Sequence, residues 1–265
     1  MGGRDTSRHN GGGMRSLASI VLVLVLTLSG AVAENREIAL FDGASLTGWH
    51  VSTASSHSAP SNHRVGGDWR VVEGVIVGRQ EPPGNGGLLV SDRQFGDFEI
   101  TLETADEWDS DSGLFLRTTP DGAAYQVMID LYPGGTVGGI WGEALPKTLD
   151  IRRFVFGESP AGTPWRRGWN ELRARITGNP PHIMTWLNGE LVVDFQDTER
   201  RLPDRGVMAL QVHGGDHHNT GVIRFRNIRP AGRAGNCRIY TEADETQIAT
   251  ELQQIEARRV KGGAA

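Results

Sequence analysis

Apolar and polar residues alternate with a period of two over much of this chain. In Phe98–Glu103 the apolar Phe98, Ile100 and Leu102 point one way and Glu99, Thr101 and Glu103 the other. That period predicts β-strands with one buried face. The same alternation runs through "WRVVEGVIVG", "GLFLRT", "YQVMID", "NELRARIT", "IMTWLNGELVVDF", "GVMALQVHG" and "VIRFRNI". Between these stretches lie Gly, Pro, Asn and Asp, and Leu187-Asn188-Gly189-Glu190 predicts a tight hairpin because Asn-Gly accepts positive φ. From Ile38 to about Pro230 the pattern predicts an all-β sandwich or jelly roll. The stretch "AYQVMIDLYPGGTVGGIWGE" reads as a strand ending on Asp130, a glycine-rich turn, and a loop that delivers Trp141 and Glu143 to the rim. Beyond Arg229 the period changes. Ile248, Leu252 and Ile255 are spaced as on a helix, so the tail 231–265 is expected to be helical.

The polar parity of these strands is unusual. Lys, Glu and Thr are expected on a merely solvated sheet, whereas this face offers Glu103, Arg117, Gln126, Asp130, Gln211 and His213. Such side chains either form a salt-bridged outer surface or line a concave face that binds a polyhydroxylated ligand through directional hydrogen bonds. Alternation by itself leaves both readings open.

The N-terminal segment stands apart from the strands. Arg15, the apolar run Leu17–Leu28 and the small residues Ala31-Val32-Ala33 have the layout of a secretory signal peptide, preceded by a polar glycine-rich extension, so residues 1–33 are set aside. The apolar run is shorter than the roughly 20 residues of a membrane span, and an exported, secreted or periplasmic protein without stable membrane insertion is expected. Residues 34–230 then suffice for one large β-domain. Net charge is −5 without a basic cluster, which gives nucleic acid little support as a partner. Cys237 is the only cysteine, so stability must come from burial and not from an internal disulfide.

The words "LFDGASLTGWHV", "WRVVEGVIVG", "FGDFEITLE", "DSGLFLR", "YQVMIDLYPGGTVGGIWGE", "WNELRARITGNPPHIMTWLNGELVVDF" and "GVMALQVHGGDHHNTGVIRFRNI" occur in this order. Together they resemble the 3-keto-disaccharide hydrolase family over about Ile38–Ile228. The resemblance implies a concanavalin A-like jelly roll acting on glycosides oxidised at C3 of the sugar, by hydrolysis or by elimination followed by water addition. The small carbohydrate substrate would need a source, and a partner oxidoreductase would supply the keto sugar.

A C3 ketone acidifies the C2 hydrogen, because the carbanion delocalises into an enolate that can expel the group on C1. Such chemistry needs a base at C2 and positive charge near the enolate oxygen. Among candidate catalytic groups, His213 suits the base, since histidine titrates near neutral pH, and Arg117 suits the enolate. Asp130 and Glu143 are candidate acids, bases or metal ligands, while Glu103, Gln126, Gln211 and Trp141 are candidate sugar contacts. "HGGDHH" suggests a divalent metal held by His213, Asp216, His217 and His218, although its spacing matches no well-defined zinc motif and a polar surface loop fits it better. Two rivals stand beside the enzyme: a lectin-like carbohydrate-binding module, and a conventional glucanase, whose Glu-x-Asp-x-x-Glu pattern is broken in "EWDSDSG" at Ser112.

Overall fold

Residues Asn170–Thr177 alternate strictly between buried and partly exposed positions, and the same pattern in Phe98–Thr104 lets the two segments lie side by side with matching faces. The computed structural model describes residues 39–105, 110–153, 164–215, 221–231 and 237–239. The expected signal peptide 1–33, the helix-spaced residues Ile248, Leu252 and Ile255, and Asp216, His217 and His218 lie outside the described residues. Within the tail expected to be helical, Cys237–Ile239 is instead a strand, because its backbone pairs with Arg93–Phe95.

The strands are β1 (Trp49–Ser52), β2 (Asp68–Val72), β3 (Val75–Arg79), β4 (Gly87–Phe95) and β5 (Phe98–Thr104). Then come β6 (Asp111–Thr118), β7 (Ala124–Asp130), β8 (Val137–Glu143), β9 (Asp150–Ile151) and β10 (Asn170–Thr177). The chain continues through β11 (His182–Leu187), β12 (Glu190–Gln196), β13 (Gly206–Val212), β14 (Val222–Ala231) and β15 (Cys237–Ile239). A single 3-10 turn, Ser56–Ser61, interrupts them among the described residues.

All pairings are antiparallel and form two sheets. The first runs β1-β4-β13-β6-β7-β8-β9, with β15 also paired to β4; the second runs β12-β11-β10-β5-β14-β3-β2. Between them lies one core: Leu89, Leu114, Leu116, Tyr125, Val127, Met208 and Leu210 from the first sheet meet Ile76, Ile100, Leu102, Leu172, Ile176 and Phe225 from the second. Full burial of each such side chain contributes about 1.5–3 kcal/mol. The fold is an all-β jelly-roll sandwich.

The hairpin at Asn188-Gly189 forms as its sequence predicts, with φ of 51° and 82°, and Glu73-Gly74 makes the corresponding turn between β2 and β3 with φ of 50° and 80°. One expectation needs correction. Trp141 and Glu143 belong to strand β8, not to a rim loop, because Val137–Glu143 pairs with β7 through Gln126 opposite Trp141 and Ala124 opposite Glu143. Glycines at 138, 139 and 142 remove the apolar alternation that marks a strand in sequence.

Candidate functional site

Residues directly opposite in an antiparallel pair share a face of the sheet. On the first sheet Val90 lies opposite Ala209, Ala209 opposite Phe115, Phe115 opposite Gln126, and Gln126 opposite Trp141. This row crosses five strands on the face turned away from the core. Gln211, Glu143, Asp111 and Asp130 stand on the same face in adjoining rows, through Leu88–Gln211, Ala124–Glu143 and Asp111–Asp130 pairing. The next residue of this parity beyond Gln211 is His213, just past the end of β13.

Glycine shapes the floor. A Cβ on Gly113 would meet the Gln126 amide nitrogen at 2.5 Å. Its absence lets Gln126 on β7 lie across β6 and donate to the Gln211 side-chain oxygen on β13 at 3.0 Å, and to the Ser112 carbonyl at 3.4 Å. The "DSGLFLR" glycine thus permits an amide pair to bridge three strands.

Above this floor sits a residue that strand periodicity gives no reason to single out. His57 lies in the 3-10 turn and is 7% exposed. The turn is held down by Gly86 N–H donating to the His57 carbonyl at 3.1 Å and by the Ser58 hydroxyl donating to the Gly86 carbonyl at 3.1 Å. Close approach is possible because a Cβ on Gly214 would overlap the His57 carbonyl. The glycine of "HGG" therefore matters for the descent of the turn onto the sheet.

The His57 Nε2 atom is 3.5 Å from Glu143 Oε1, which also accepts the Ser56 hydroxyl at 3.0 Å. The Gln211 amide nitrogen lies 2.8 Å from His57 Nε2 and 3.5 Å from Nδ1, so the amide rests against the ring. His213 packs edge-on against the same ring, with ring centroids 4.8 Å apart. The Gly214 carbonyl is 2.6 Å from His213 Nδ1 and can only accept, so Nδ1 carries a hydrogen. That leaves Nε2 on the side of Asp111, 3.7 Å from Oδ2. Gln80 fixes this backbone by donating to the carbonyls of His213 at 2.7 Å and Gly215 at 2.9 Å.

Burial pushes the Glu143 carboxyl up, yet the hydrogen bond and electrostatic pull of His57, the Ser56 hydroxyl and the pull of His213 when it is protonated outweigh it and hold the group below the usual range. It is therefore a carboxylate beside two imidazoles. For Asp130 burial wins over the Tyr132 N–H and Arg152, and its carboxyl is raised.

The structure gathers Gln126, Gln211, His213, Glu143 and Trp141 on one face, adds His57, Asp111 and Ser56, and separates the remaining candidates. Glu103 is on the outer face of the second sheet. It accepts Arg226 and Asn227, each at 2.6 Å, and Arg226 stacks over Trp169 at 3.9 Å. Strand parity placed Glu103 on a polar face but could not say which sheet that face belongs to. Arg117 is 1% exposed at the end of the sandwich, where a φ of 52° turns it away from the site. It donates to the Gly96 carbonyl at 3.2 Å, the Gly178 carbonyl at 2.7 Å and Asp97 at 2.9 Å. Asp130 shares the site's face, but its carboxylate accepts Tyr132 N–H at 2.9 Å and packs on Gly135, closing the β7–β8 turn. Among the described residues no group of three or more His, Cys, Asp or Glu is arranged to hold a metal.

A family model for a 3-keto-α-glucoside-1,2-lyase-like domain matches residues 36–230. The chain belongs to this family. Among solved structures it is similar to the carbohydrate-binding module CBM66 of Bacillus subtilis, with TM-score 0.50 and 17% identity, covering 70% of this chain and 96% of that one. It is also similar to a protein of Parabacteroides distasonis ATCC 8503 assigned to the glycosyl hydrolases, with TM-score 0.47, 20% identity and coverage of 72% and 91%. A Bacillus licheniformis β-glucanase gives TM-score 0.48, 13% identity and coverage of 74% and 97%. At these identities the likeness to CBM66 speaks for the fold alone.

Proposed function

We propose that this protein cleaves 3-keto-glycosides by removing the C2 hydrogen, with His213 as the base. The observation that carries this reading is the pair of imidazoles, His57 and His213, set between the carboxylates of Glu143 and Asp111 over a floor of two amides. Such a floor suits sugar hydroxyls, because Gln126 and Gln211 each have donors and an acceptor. With Nδ1–H held by the Gly214 carbonyl, neutral His213 presents its Nε2 lone pair, the form a general base requires. Trp141, partly exposed beside Gln126, suits stacking on the ring. The family's description as lyase-like supports elimination, in which the C2 carbanion, delocalised into the C3 ketone, expels the C1 substituent.

The protein would act after export, in the secreted or periplasmic space, on keto sugars supplied by an oxidoreductase acting in the same compartment. The reaction should be selective for the 3-keto-glycoside over its 3-hydroxy parent. Run in heavy water, elimination and rehydration would place deuterium at C2 of the product; cleavage without deuterium at C2 would exclude this route. His213→Ala should lower turnover by about 10²–10⁴. A second reading, non-catalytic carbohydrate binding, takes its support from the Gln126–Gln211 amide pair with Trp141 beside it; it is favoured if purified protein binds the sugar and converts neither form.

A further inference from the structure

His57 is absent from the base's task, yet it is the more buried of the two imidazoles and the better surrounded. Its Nε2 faces the Glu143 carboxylate, which the Ser56 hydroxyl holds in place at 3.0 Å. Gln211 supports the ring from its face. A carboxylate fixed opposite one ring nitrogen is what an imidazolium needs to keep a proton ready for transfer. His213 differs in kind: its Nδ1–H is donated to a backbone carbonyl, and the Asp111 carboxylate lies 3.7 Å from its Nε2. The two rings therefore suit opposite roles.

We infer that His57 is the proton donor to the departing C1 oxygen, with Glu143 and Ser56 as its positioning residues; this rests on the proposed elimination. The step balances as follows. His213 takes the C2 hydrogen as a proton; the electron pair of that bond passes through the C3 ketone and forms a C1–C2 double bond. The C1–oxygen bond breaks, and its electron pair takes the proton of His57, releasing the aglycone as an alcohol. His213 then carries the proton taken from C2 and His57 is neutral, so the positive charge has passed from one ring to the other. Water addition reverses the roles, as His57 takes a proton from water attacking C1 and His213 returns one to C2.

The spacing of the rings ties the two transfers together. At 4.8 Å between centroids, two imidazolium ions repel each other strongly where water is scarce. As His213 becomes charged, His57 is driven to give up its proton. One positive charge is shared by the pair throughout the cycle, and base and acid act in the same event.

Leaving-group dependence tests the assignment. Take methyl 3-keto-glucoside, whose alkoxide needs a proton, and 4-nitrophenyl 3-keto-glucoside, whose phenolate leaves without one. In His57→Ala, cleavage of the methyl substrate should fall about 10²–10³-fold, within the range for loss of a general acid, while the nitrophenyl substrate should lose less than about tenfold. Glu143→Gln, which keeps the shape of the side chain, should show the same split with smaller losses. Exchange of the C2 hydrogen with heavy water should persist in both variants. Equal losses on the two substrates in both variants would overturn the inference. Failure of the elimination reading would look different: C2 exchange that is absent in the wild type, or that survives His213→Ala.

Discussion

Glu143 sits 3.5 Å from His57 and is 15% exposed, so its ionisation state bears on both chemistry and stability. The carboxyl is lowered in the folded chain, although burial alone would raise it. A lowered carboxyl stabilises the fold above its ordinary value, and the contribution disappears as pH falls through the folded value. The stability difference between wild type and Glu143→Gln should therefore shrink as pH drops from about 5 to about 3; denaturant melts at several pH values would measure it. Asp130 carries the opposite sign. Burial raises its carboxyl, so the folded chain keeps that proton to higher pH, and ionisation costs stability as pH rises through the window above 3.8. Asparagine retains the oxygen that accepts Tyr132 N–H, and Asp130→Asn should be as stable as wild type or more so at pH 7. Because this carboxylate closes a turn, turnover of the variant should stay within about tenfold of wild type; the general-base range of about 10²–10⁴ would be the mark of a catalytic Asp130.

Elements bring these side chains together, and two glycines decide how. Adding a methyl at Gly113 strikes the Gln126 amide, and at Gly214 it strikes the carbonyl that carries the His57 turn. Overpacking of this kind costs about 1–3 kcal/mol. For Gly113→Ala the flexible amide can swing aside, so the expected result is a rise in KM with a small change in melting temperature. For Gly214→Ala the obstacle is backbone; the turn must lift, and kcat should drop further than in Gly113→Ala. Comparable kinetics in the two variants would contradict this distinction. The same elements show what the sequence makes legible. Strand parity sorted Gln126, Gln211 and His213 onto one face, since a period of two needs no knowledge of neighbours. It could not separate Glu103 from them, because membership of β5 in the second sheet depends on which distant strands pair with it. His57 was invisible to periodicity, lying in "SHSAPS", a turn with no regular period; the glycines that admit it, 86 and 214, are far from it in sequence.

At the scale of the whole molecule, Arg117 reaches across the end of the sandwich. It lies near the end of β6, in the first sheet, and donates to Gly178 in the β10–β11 connection of the second, as well as to Gly96 and Asp97 between β4 and β5. Nothing in "GLFLRT" discloses this, since the φ of 52° that redirects the side chain is a tertiary outcome in a residue that seldom adopts it. Burial pushes the guanidinium down, and the charges of Asp97 and Asp204 work against that push without overcoming it. Arg117→Met fills similar space but leaves two carbonyls without their donor and Asp97 without its cation. Breaking a buried pair typically costs about 3–5 kcal/mol. Asp97 is 51% exposed and can rehydrate, which argues for the lower end. For a domain of this size about 3 kcal/mol corresponds to a fall of roughly 6–12 °C in melting temperature. Well below that temperature the imidazole pair is untouched, so turnover per folded molecule on a 3-keto-glycoside should remain within about threefold of wild type, a barrier change of less than about 0.7 kcal/mol. A variant that melts like wild type but loses a hundredfold or more in turnover would return Arg117 to the enolate oxygen; a large thermal loss with intact turnover fixes it as the tie between the two sheets.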